Sequence, residues 1–227
     1  MREFYKDDQV VIYHGDCREV LPIISEKADA IVTDPPYAIP TQVAQTRTIT
    51  RNVGDLSIAE AGLSLMFGEC DRVLRETGRY FVFCDGTSYP VLSRVFYGKF
   101  STALLVWDKD RIGMGREFRK QHELVLHAWQ KATPIVESNG KGYGDVLHCS
   151  PEGVNRIHAA QKPIGLISQL LRVCGNVILD PFLGSGSTLI AAKKANKRAI
   201  GIEIDVDICE KAANRCKQDA LDFLKSD

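Results

Sequence analysis

The sequence lacks the features of a secreted, membrane-spanning or metal-binding protein. Its seven cysteines are an odd number and no two are spaced as C-x-x-C, so we expect reduced thiols in a cytoplasm. Tight pairs of Cys or His at metal-ligand spacing are missing, so we expect no metal site. No uninterrupted apolar run exceeds five residues and the amino terminus is polar and charged, so we expect neither a membrane span nor a secretory signal.

An excess of charge of either sign is also missing. The 29 Lys and Arg residues balance 29 Asp and Glu residues, which excludes a basic tail or a uniformly cationic surface. A nucleic-acid partner stays open, because a neutral protein can carry a local basic face. With 227 residues, 44% hydrophobic and 26% charged, the chain has the composition of one globular domain, 1–227, that buries its own core.

Short apolar runs bounded by Asp, Gly or Pro predict seven strands, and most of them are separated by amphipathic stretches of helix length. This alternation predicts an α/β fold with a mostly parallel sheet covered on both faces. No clear helix separates the fourth and fifth runs, so that pair is expected to be antiparallel. The predicted strands are Val10–Tyr13, Ala30–Thr33, Arg79–Cys84, Thr102–Trp107, Glu123–Trp129, Val177–Leu179 and Ala199–Ile202, and the predicted helices are Ile58–Leu74, Ile164–Cys174, Ser187–Ala195 and Val206–Leu224.

Two segments, 39–54 and 131–161, do not fit the alternation. The first is rich in Thr and Gln and carries Arg47 and Arg51 without an acid, and the second has three glycines around Tyr143. Long irregular segments inside a compact domain are usually functional or mobile. We expect both to be loops at one end of the sheet that contact a ligand, not separate domains.

A rigid polar turn directly follows the strand Ala30–Thr33, and it consists of Asp34, Pro35, Pro36 and Tyr37. The prolines fix an extended backbone, which presents a carboxylate, the Pro35 carbonyl and an aromatic ring at the carboxyl end of the strand. Ligands bind at that end of an open α/β sheet. The two oxygens suit the two hydrogens of an amine and the ring suits stacking, so the turn indicates a nucleobase amino group. The alternative is that it only ends a strand.

A glycine-rich turn follows the strand Val177–Leu179 and opens a helix. It lacks the Lys of a P-loop, and it consists of Asp180, Pro181, Phe182, Leu183, Gly184, Ser185, Gly186, Ser187 and Thr188. Such glycines let a ligand approach the backbone. Glu203 ends the next strand, 19 residues after Gly184, at the distance of an acid that binds ribose hydroxyls. The two features together predict a nucleoside cofactor.

On these motifs the sequence resembles the S-adenosylmethionine-dependent amino-methyltransferases of DNA, over nearly its whole length. Residues 34–37 match the catalytic motif of that family, residues 180–188 its methionine-binding loop and Glu203 its ribose-binding acid. His14–Cys17 is similar to the family segment that reads the cofactor adenine. His158–Pro163 resembles the segment before the cofactor strand, with Ala159 where the family often has Pro. The catalytic motif precedes the cofactor motif, which is the circularly permuted order called the beta group.

The resemblance implies a Rossmann-like seven-stranded sheet with one antiparallel strand, in which the strands before Asp34 and Asp180 lie side by side. Both motifs then face one cleft. The catalytic residues it implies are Asp34, Pro35, Pro36 and Tyr37. The cofactor-binding residues it implies are Asp16, Cys17, Asp34, Lys162, Asp180, Phe182, Gly184, Ser185, Gly186, Ser187, Thr188, Glu203 and Ile204.

The implied substrate is duplex DNA, whose target base must be flipped out of the helix. Segment 109–120 holds five basic residues against two acids, which is typical of a loop that contacts phosphates. The candidate DNA contacts are Arg47, Arg51, Lys109, Arg111, Arg116, Arg119, Lys120 and Tyr143. Because 131–161 is small, target recognition is expected to use a short site, the 39–54 loop or a homodimer.

Transfer to the N6 of adenine is the leading hypothesis. Cytosine-N4 enzymes share the amine geometry but more often carry Ser at the position of Asp34, and RNA is a weaker alternative substrate. A nicotinamide-dependent oxidoreductase fits Gly184, Gly186 and Glu203, but it leaves 34–37 unexplained and lacks the third glycine, which is Leu189 here. A non-catalytic DNA-binding protein is a further alternative, and a solitary enzyme and half of a restriction–modification pair are equally compatible with the sequence.

Overall fold

The computed structural model describes residues 2–36, 56–137, 140–151 and 161–223. Over this part of the chain there are nine strands and six α-helices, with a 3-10 turn at Leu21–Ile23. The strands are β1 (Arg2–Lys6), β2 (Val10–His14), β3 (Ala28–Thr33), β4 (Leu74–Cys84), β5 (Ser101–Asp108), β6 (His122–Trp129), β7 (Val146–His148), β8 (Val177–Asp180) and β9 (Arg198–Glu203). The helices are α1 (Cys17–Val20), α2 (Leu56–Val73), α3 (Tyr89–Phe96), α4 (Ile164–Leu171), α5 (Ser187–Lys194) and α6 (Val206–Phe223).

The strands form one sheet in the order β1-β2-β9-β8-β3-β4-β6-β5-β7. The run from β2 to β4 is parallel, and β6 is antiparallel to both of its neighbours. The predicted α/β class and the antiparallel pairing of β5 with β6 are therefore confirmed. The predicted strand count was too low, because β1 and β7 also join the sheet at its two edges.

Both missed strands are hard to recognise in the sequence. The five residues of β1 are mostly polar and exposed, and β7 has only three residues. Such strands are defined by pairing with a neighbour and not by a hydrophobic period. As a consequence, β1 adds a second antiparallel strand to the described sheet, and segment 131–161 is not wholly a loop. Segment 39–54 lies entirely outside the described residues, so its predicted loop structure stays a prediction.

The helices cover both faces of the sheet. Side chains alternate along β4, so Phe81 and Phe83 pack with α4, α5 and α6, while Tyr80 and Val82 pack with α1, α2 and α3. The four predicted helices are present, although α4 ends at Leu171 and not at Cys174. None of the described helices is long and apolar enough to cross a membrane.

The pairing of β3 with β8 places the strand before Asp34 beside the strand before the glycine-rich turn, with Ala30 opposite Ile178. The chain reverses its winding direction between these two strands, which is where open α/β sheets form a crevice. The carboxyl ends of β3, β8, β9 and β5 and the amino end of β6 lie at one edge of the sheet, which we call the cleft edge.

Candidate active site

A cavity of about 340 Å³ opens at the cleft edge, and it is lined by parts of both sequence motifs. Asp34 and Gly184 both line it although they are 150 residues apart in the sequence. Tyr37 lies outside the described residues. The predicted site residues that line the cavity are Asp34, Pro35, Pro36, Lys162, Asp180, Phe182, Gly184, Ser185, Ser187, Thr188 and Glu203.

Asp180 forms the floor of the glycine-rich turn and is almost completely buried. Its carboxylate accepts hydrogen bonds from the Thr188 hydroxyl at 2.6 Å and from the Phe182 backbone N–H at 3.1 Å. Burial raises the pKa of Asp180 to about 6, and these two hydrogen bonds oppose the rise. The carboxylate therefore ties the end of β8 to the first turn of α5.

The turn itself depends on two glycines with left-handed backbone. Gly184 has φ +52° and Gly186 has φ +82°, and a Cβ on Gly186 would lie 3.1 Å from Ala212 Cβ of α6. The backbone N–H of Gly184 donates to Glu203 at 2.9 Å, and the N–H of Asp205 donates to the other oxygen of the same carboxylate. Glu203 is thus held at the rim of the cavity, while Gly186 serves helix packing and does not line it.

A row of side chains with alternating charges leads from the cavity to the base of the segment between β5 and β6. Lys162 Nζ lies 2.5 Å from Asp34 Oδ2 and 3.4 Å from Glu123 Oε2, and Lys109 Nζ lies 2.7 Å from Glu123 Oε1. The Lys162 ammonium also stands 5.1 Å from the centre of the Phe83 ring. Residues from β6, the start of α4 and the turn after β3 are joined in this way.

The pKa shifts in this row of side chains follow from mutual pairing. Burial alone would lower the pKa of Lys162, but the carboxylates of Asp34 and Glu123 outweigh it and raise the pKa. Burial alone would raise the pKa of Glu123, but the ammonium groups of Lys162 and Lys109 lower it. Lys162 and Glu123 therefore both favour their charged forms, and each depends on the other.

Asp16, Cys17 and Ile204 do not line the cavity; Asp16 and Cys17 begin α1 after β2, and Ile204 directly follows β9. The Asp16 carboxylate caps α1 and binds the Arg18 guanidinium, whose hydrogen bonds lower the pKa of Asp16. The Cys17 thiol is buried, which raises its pKa to about 11, and Ile204 is 58% exposed. Gly15 donates its N–H to the Glu203 carbonyl, so this segment adjoins the carboxyl end of β9. Their predicted roles toward a cofactor remain predictions.

The basic segment 109–121 forms a hairpin between β5 and β6 that projects from the cleft edge. Backbone hydrogen bonds join Gly113 to Lys120 and Lys109 to Gln121, so the hairpin is an ordered extension of the two strands. Most of its predicted DNA contacts are exposed, namely Arg111, Arg116, Arg119 and Lys120. Lys109 is different, because its ammonium pairs with Glu123 and lies over the Trp107 ring.

The remaining predicted DNA contacts are elsewhere. Tyr143 lines a second cavity against the middle of β4, and Arg47 and Arg51 lie outside the described residues. Asp108, Asp110 and His148 at the base of the hairpin bring three potential ligand atoms within 4.8 Å of one another, but all three are at the surface and His148 pairs with Asp110 at 3.0 Å. The expectation of no metal site stays a prediction.

Sequence reasoning did not assign Glu123, Phe83 or Gln161 to the site. Phe83 and Gln161 line the cavity, and Glu123 contacts it through Lys162. Glu123 is an acid at the start of an apolar strand, which is a signal in the sequence that it has a buried partner, and the stretch 106–123 that ends with it resembles the family. Which partner it has was decided by the antiparallel pairing of β6 with β4.

Comparisons with known proteins agree with this geometry. A family model for N6_N4_Mtase, described as DNA methylase, matches residues 28–214. The Type II methyltransferase M.ScaI of Streptomyces caespitosus is 27% identical over 96% of this chain and 85% of its own length. The Type II methyltransferase M.HinfI of Haemophilus influenzae is 26% identical over 98% of this chain and 73% of its own length.

Solved structures share the fold. The M1.HpyAVI–SAM complex superimposes with a TM-score of 0.73 at 23% identity, over 91% of this chain and 98% of that chain. The PvuII DNA methyltransferase, described as cytosine-N4-specific, has the same TM-score at 16% identity, over 93% of this chain and 88% of that chain. Because the family model spans most of the sequence and both motifs, this chain belongs to the N6/N4 family of DNA methylases.

Proposed function

We propose that the protein transfers a methyl group from S-adenosylmethionine to the exocyclic N6 of a flipped-out adenine in duplex DNA. The observation that carries this proposal is the shared cavity of Asp34 and the glycine-rich turn. Its volume of about 340 Å³ falls within the roughly 300–1,000 Å³ of small-molecule sites. The relatives called Type II methyltransferases and the neighbour solved with SAM support the same cofactor and a role in DNA modification.

The residues at the cavity fit this cofactor. The Glu203 carboxylate suits the ribose hydroxyls, and the exposed Ile204 beside it suits the face of the adenine ring. Asp34 and Asp180 place two carboxyl groups near the turn, which suits the cationic amino group of the methionine part. When bound, the cofactor supplies a methyl group on a sulfonium, which is already a good electrophile, so no covalent enzyme intermediate is needed.

The chain's own task is to prepare the target nitrogen. Its lone pair is delocalised into the adenine ring, and two acceptors that bind both amino hydrogens favour a more tetrahedral nitrogen. Asp34 Oδ and the Pro35 carbonyl are those acceptors in the proposal, and Lys162 orients the carboxylate from 2.5 Å. Acceleration then comes from alignment and electrostatics. Stacking of the flipped base on Tyr37 would offset about 1–3 kcal/mol of the free energy needed to flip it.

The hairpin 109–121 is the proposed DNA-contacting surface. It projects from the cleft edge and combines exposed basic residues with exposed apolar ones, since Phe118 is 97% exposed and Met114 is 84% exposed. Basic residues position a protein on phosphates, and apolar side chains beside them can enter between base steps.

A homodimer that shares target recognition also remains a prediction, which size-exclusion chromatography with light scattering would test.

Nucleoside mass spectrometry tests the reaction. Purified protein is incubated with unmethylated duplex DNA and S-adenosylmethionine, beside D34A and the exposed-surface control D8A. We expect N6-methyladenine with the wild type and D8A, and none with D34A. N4-methylcytosine would keep the mechanism and change the base, in agreement with the fold shared with a cytosine-N4-specific enzyme. The absence of any methylated nucleoside on diverse DNA, despite cofactor binding, would contradict the proposal.

A further inference from the structure

A second cavity of about 330 Å³ lies against the middle of β4, separate from the cleft cavity, and we call it the rear pocket. Its floor is formed by Arg79 and Phe81 in the middle of β4 and by the carboxyl-terminal half of β6, and its walls by the end of α4 and residues 133–136, 143 and 144. It shares no lining residue with the cleft cavity among the described residues. Nothing in the proposed methyl transfer uses it.

Three aromatic rings form the floor of the rear pocket. Phe81 and His127 are cross-strand partners, and their rings stack with centroids 4.5 Å apart and planes inclined by 8°. The ring of Trp129 continues the surface, 4.7 Å from His127. Leu170 and Val173 of the α4 region face these rings from the other side. Because the rings stack on one another, they meet the pocket mainly with their edges, and the space between them and α4 is lined by apolar and aromatic groups that suit an aromatic ring.

The positive charge in the rear pocket has no opposite charge paired with it in the part of the chain that the structure describes. Arg79 is 7% exposed, its guanidinium donates to the Pro134 carbonyl at 3.1 Å, and no carboxylate pairs with it among the described residues. Burial lowers the pKa of Arg79. A buried cation without a counter-ion lowers the free energy of unfolding, so an anionic ligand beside it would be stabilising.

His127 adds a second unsatisfied group at the same place. Its Nε2 is buried and has no hydrogen-bond partner among the described residues. Burial, and then the positive charge of Arg79, lower the pKa of His127 to about 4, so the ring is neutral near pH 7 and does not itself demand an anion. The pocket therefore offers one positive charge, one free ring nitrogen and a long aromatic surface.

We infer that the rear pocket binds a planar aromatic monoanion of the aromatic carboxylate class, with its anionic group on Arg79 and its ring against His127 and Trp129. A guanidinium binds a carboxylate through two parallel hydrogen bonds. A phosphate dianion fits less well, because among the described residues Arg79 is the one cationic side chain in a mostly apolar lining. The ligand would touch β4 and α4, which also carry Phe83 and Ile167 of the cleft cavity.

Two matched probes test this assignment on the full chain, 2-naphthoate and the uncharged 2-naphthamide. Calorimetry should show one naphthoate per chain, at least tenfold tighter than naphthamide, and unaffected by saturating S-adenosylhomocysteine. R79M, which keeps the apolar stem of Arg79, should abolish the preference for the carboxylate and leave naphthamide binding unchanged. W129L should weaken both probes, and R94M, on the other face of the sheet, should change neither.

Some results would overturn the inference. The first is the absence of saturable naphthoate binding, and the second is an equal preference of R79M and the wild type for naphthoate over naphthamide. The third is displacement of naphthoate by S-adenosylhomocysteine, which would place the probe in the cleft. A dimer that dissociates in R79M would assign the pocket to a second copy of the chain. The folding of R79M is checked independently by urea unfolding, where loss of an unpaired buried charge should leave its stability equal to or above that of the wild type.

Discussion

Lys162 lies between Asp34 and Glu123, with its ammonium 2.5 Å from one carboxylate and 3.4 Å from the other. One buried cation thus connects the turn that follows β3 to the base of the 109–121 hairpin, because Glu123 also binds Lys109. In the proposed function, the acceptor of the target amine and the surface that contacts DNA are parts of one electrostatic unit. In this proposal, a shift of the hairpin base would move Glu123, and Lys162 would pass that shift on to the position of the Asp34 carboxylate.

Removing Lys162 should therefore be strongly destabilising. K162M leaves two carboxylates in the protein without their shared cation, and breaking a buried pair in this way costs about 3–5 kcal/mol of the free energy of unfolding. Urea denaturation at pH 7 measures the loss. The matched control is K99M, whose exposed pair with Asp71 at 3.8 Å is worth about 0–1 kcal/mol. Equal stability of the two variants would show that the row of alternating charges does not hold the site together.

The raised pKa of Asp180 predicts a specific pH dependence of stability. The folded protein holds this proton more tightly than the unfolded chain, with a pKa of about 6 against 3.8. The stabilisation is complete below pH 3.8 and is lost as the pH rises through about 6, by roughly 3 kcal/mol in total. D180N does not titrate, so the unfolding free energy of D180N minus that of the wild type should grow between pH 4 and pH 7. Parallel stability curves over this range would contradict the assignment.

The two glycines of the cofactor turn should respond differently to the same substitution. G184A places a methyl group in open space at φ +52°, so it should cost about 1–2 kcal/mol from backbone strain alone. G186A adds a close contact with Ala212 to the same strain, so its total cost should be roughly 2–5 kcal/mol. Thermal and urea unfolding of both variants checks the order. A larger loss in G184A would show that the cavity side of the turn is the tighter one.

The hairpin should contribute to DNA affinity through phosphates. Replacing two of the proposed phosphate contacts, in R111Q/R116Q, should lower the slope of log affinity against log salt by about 2, with little change between DNA sequences. Fluorescence anisotropy over a salt series measures the slope, and R94Q on α3 is the matched control. F118A should leave the slope unchanged but reduce the fluorescence rise of 2-aminopurine at the target base. An unchanged slope in R111Q/R116Q would exclude the hairpin from the phosphate contacts.

Several local features of the fold follow from the sequence alone. The seven apolar runs bounded by Asp, Gly and Pro are all strands, and the runs of helical period at α2, α4, α5 and α6 are all helices. Both are set by side-chain period and by breakers, which act over a few residues. The short helices α1 and α3 were not predicted, since one spans a single turn and the other begins beside Pro90.

What the sequence by itself determined is the set of local elements and the two motifs, because proline, glycine and hydrophobic period restrict the backbone wherever they occur. Only the tertiary structure decided the contacts between distant residues. Glu123 and Lys162 meet because β6 runs antiparallel beside β4, and Arg79 reaches the Pro134 carbonyl because the chain after β6 folds back over β4. Pairing energies of this kind depend on distance and burial, which a linear sequence does not contain.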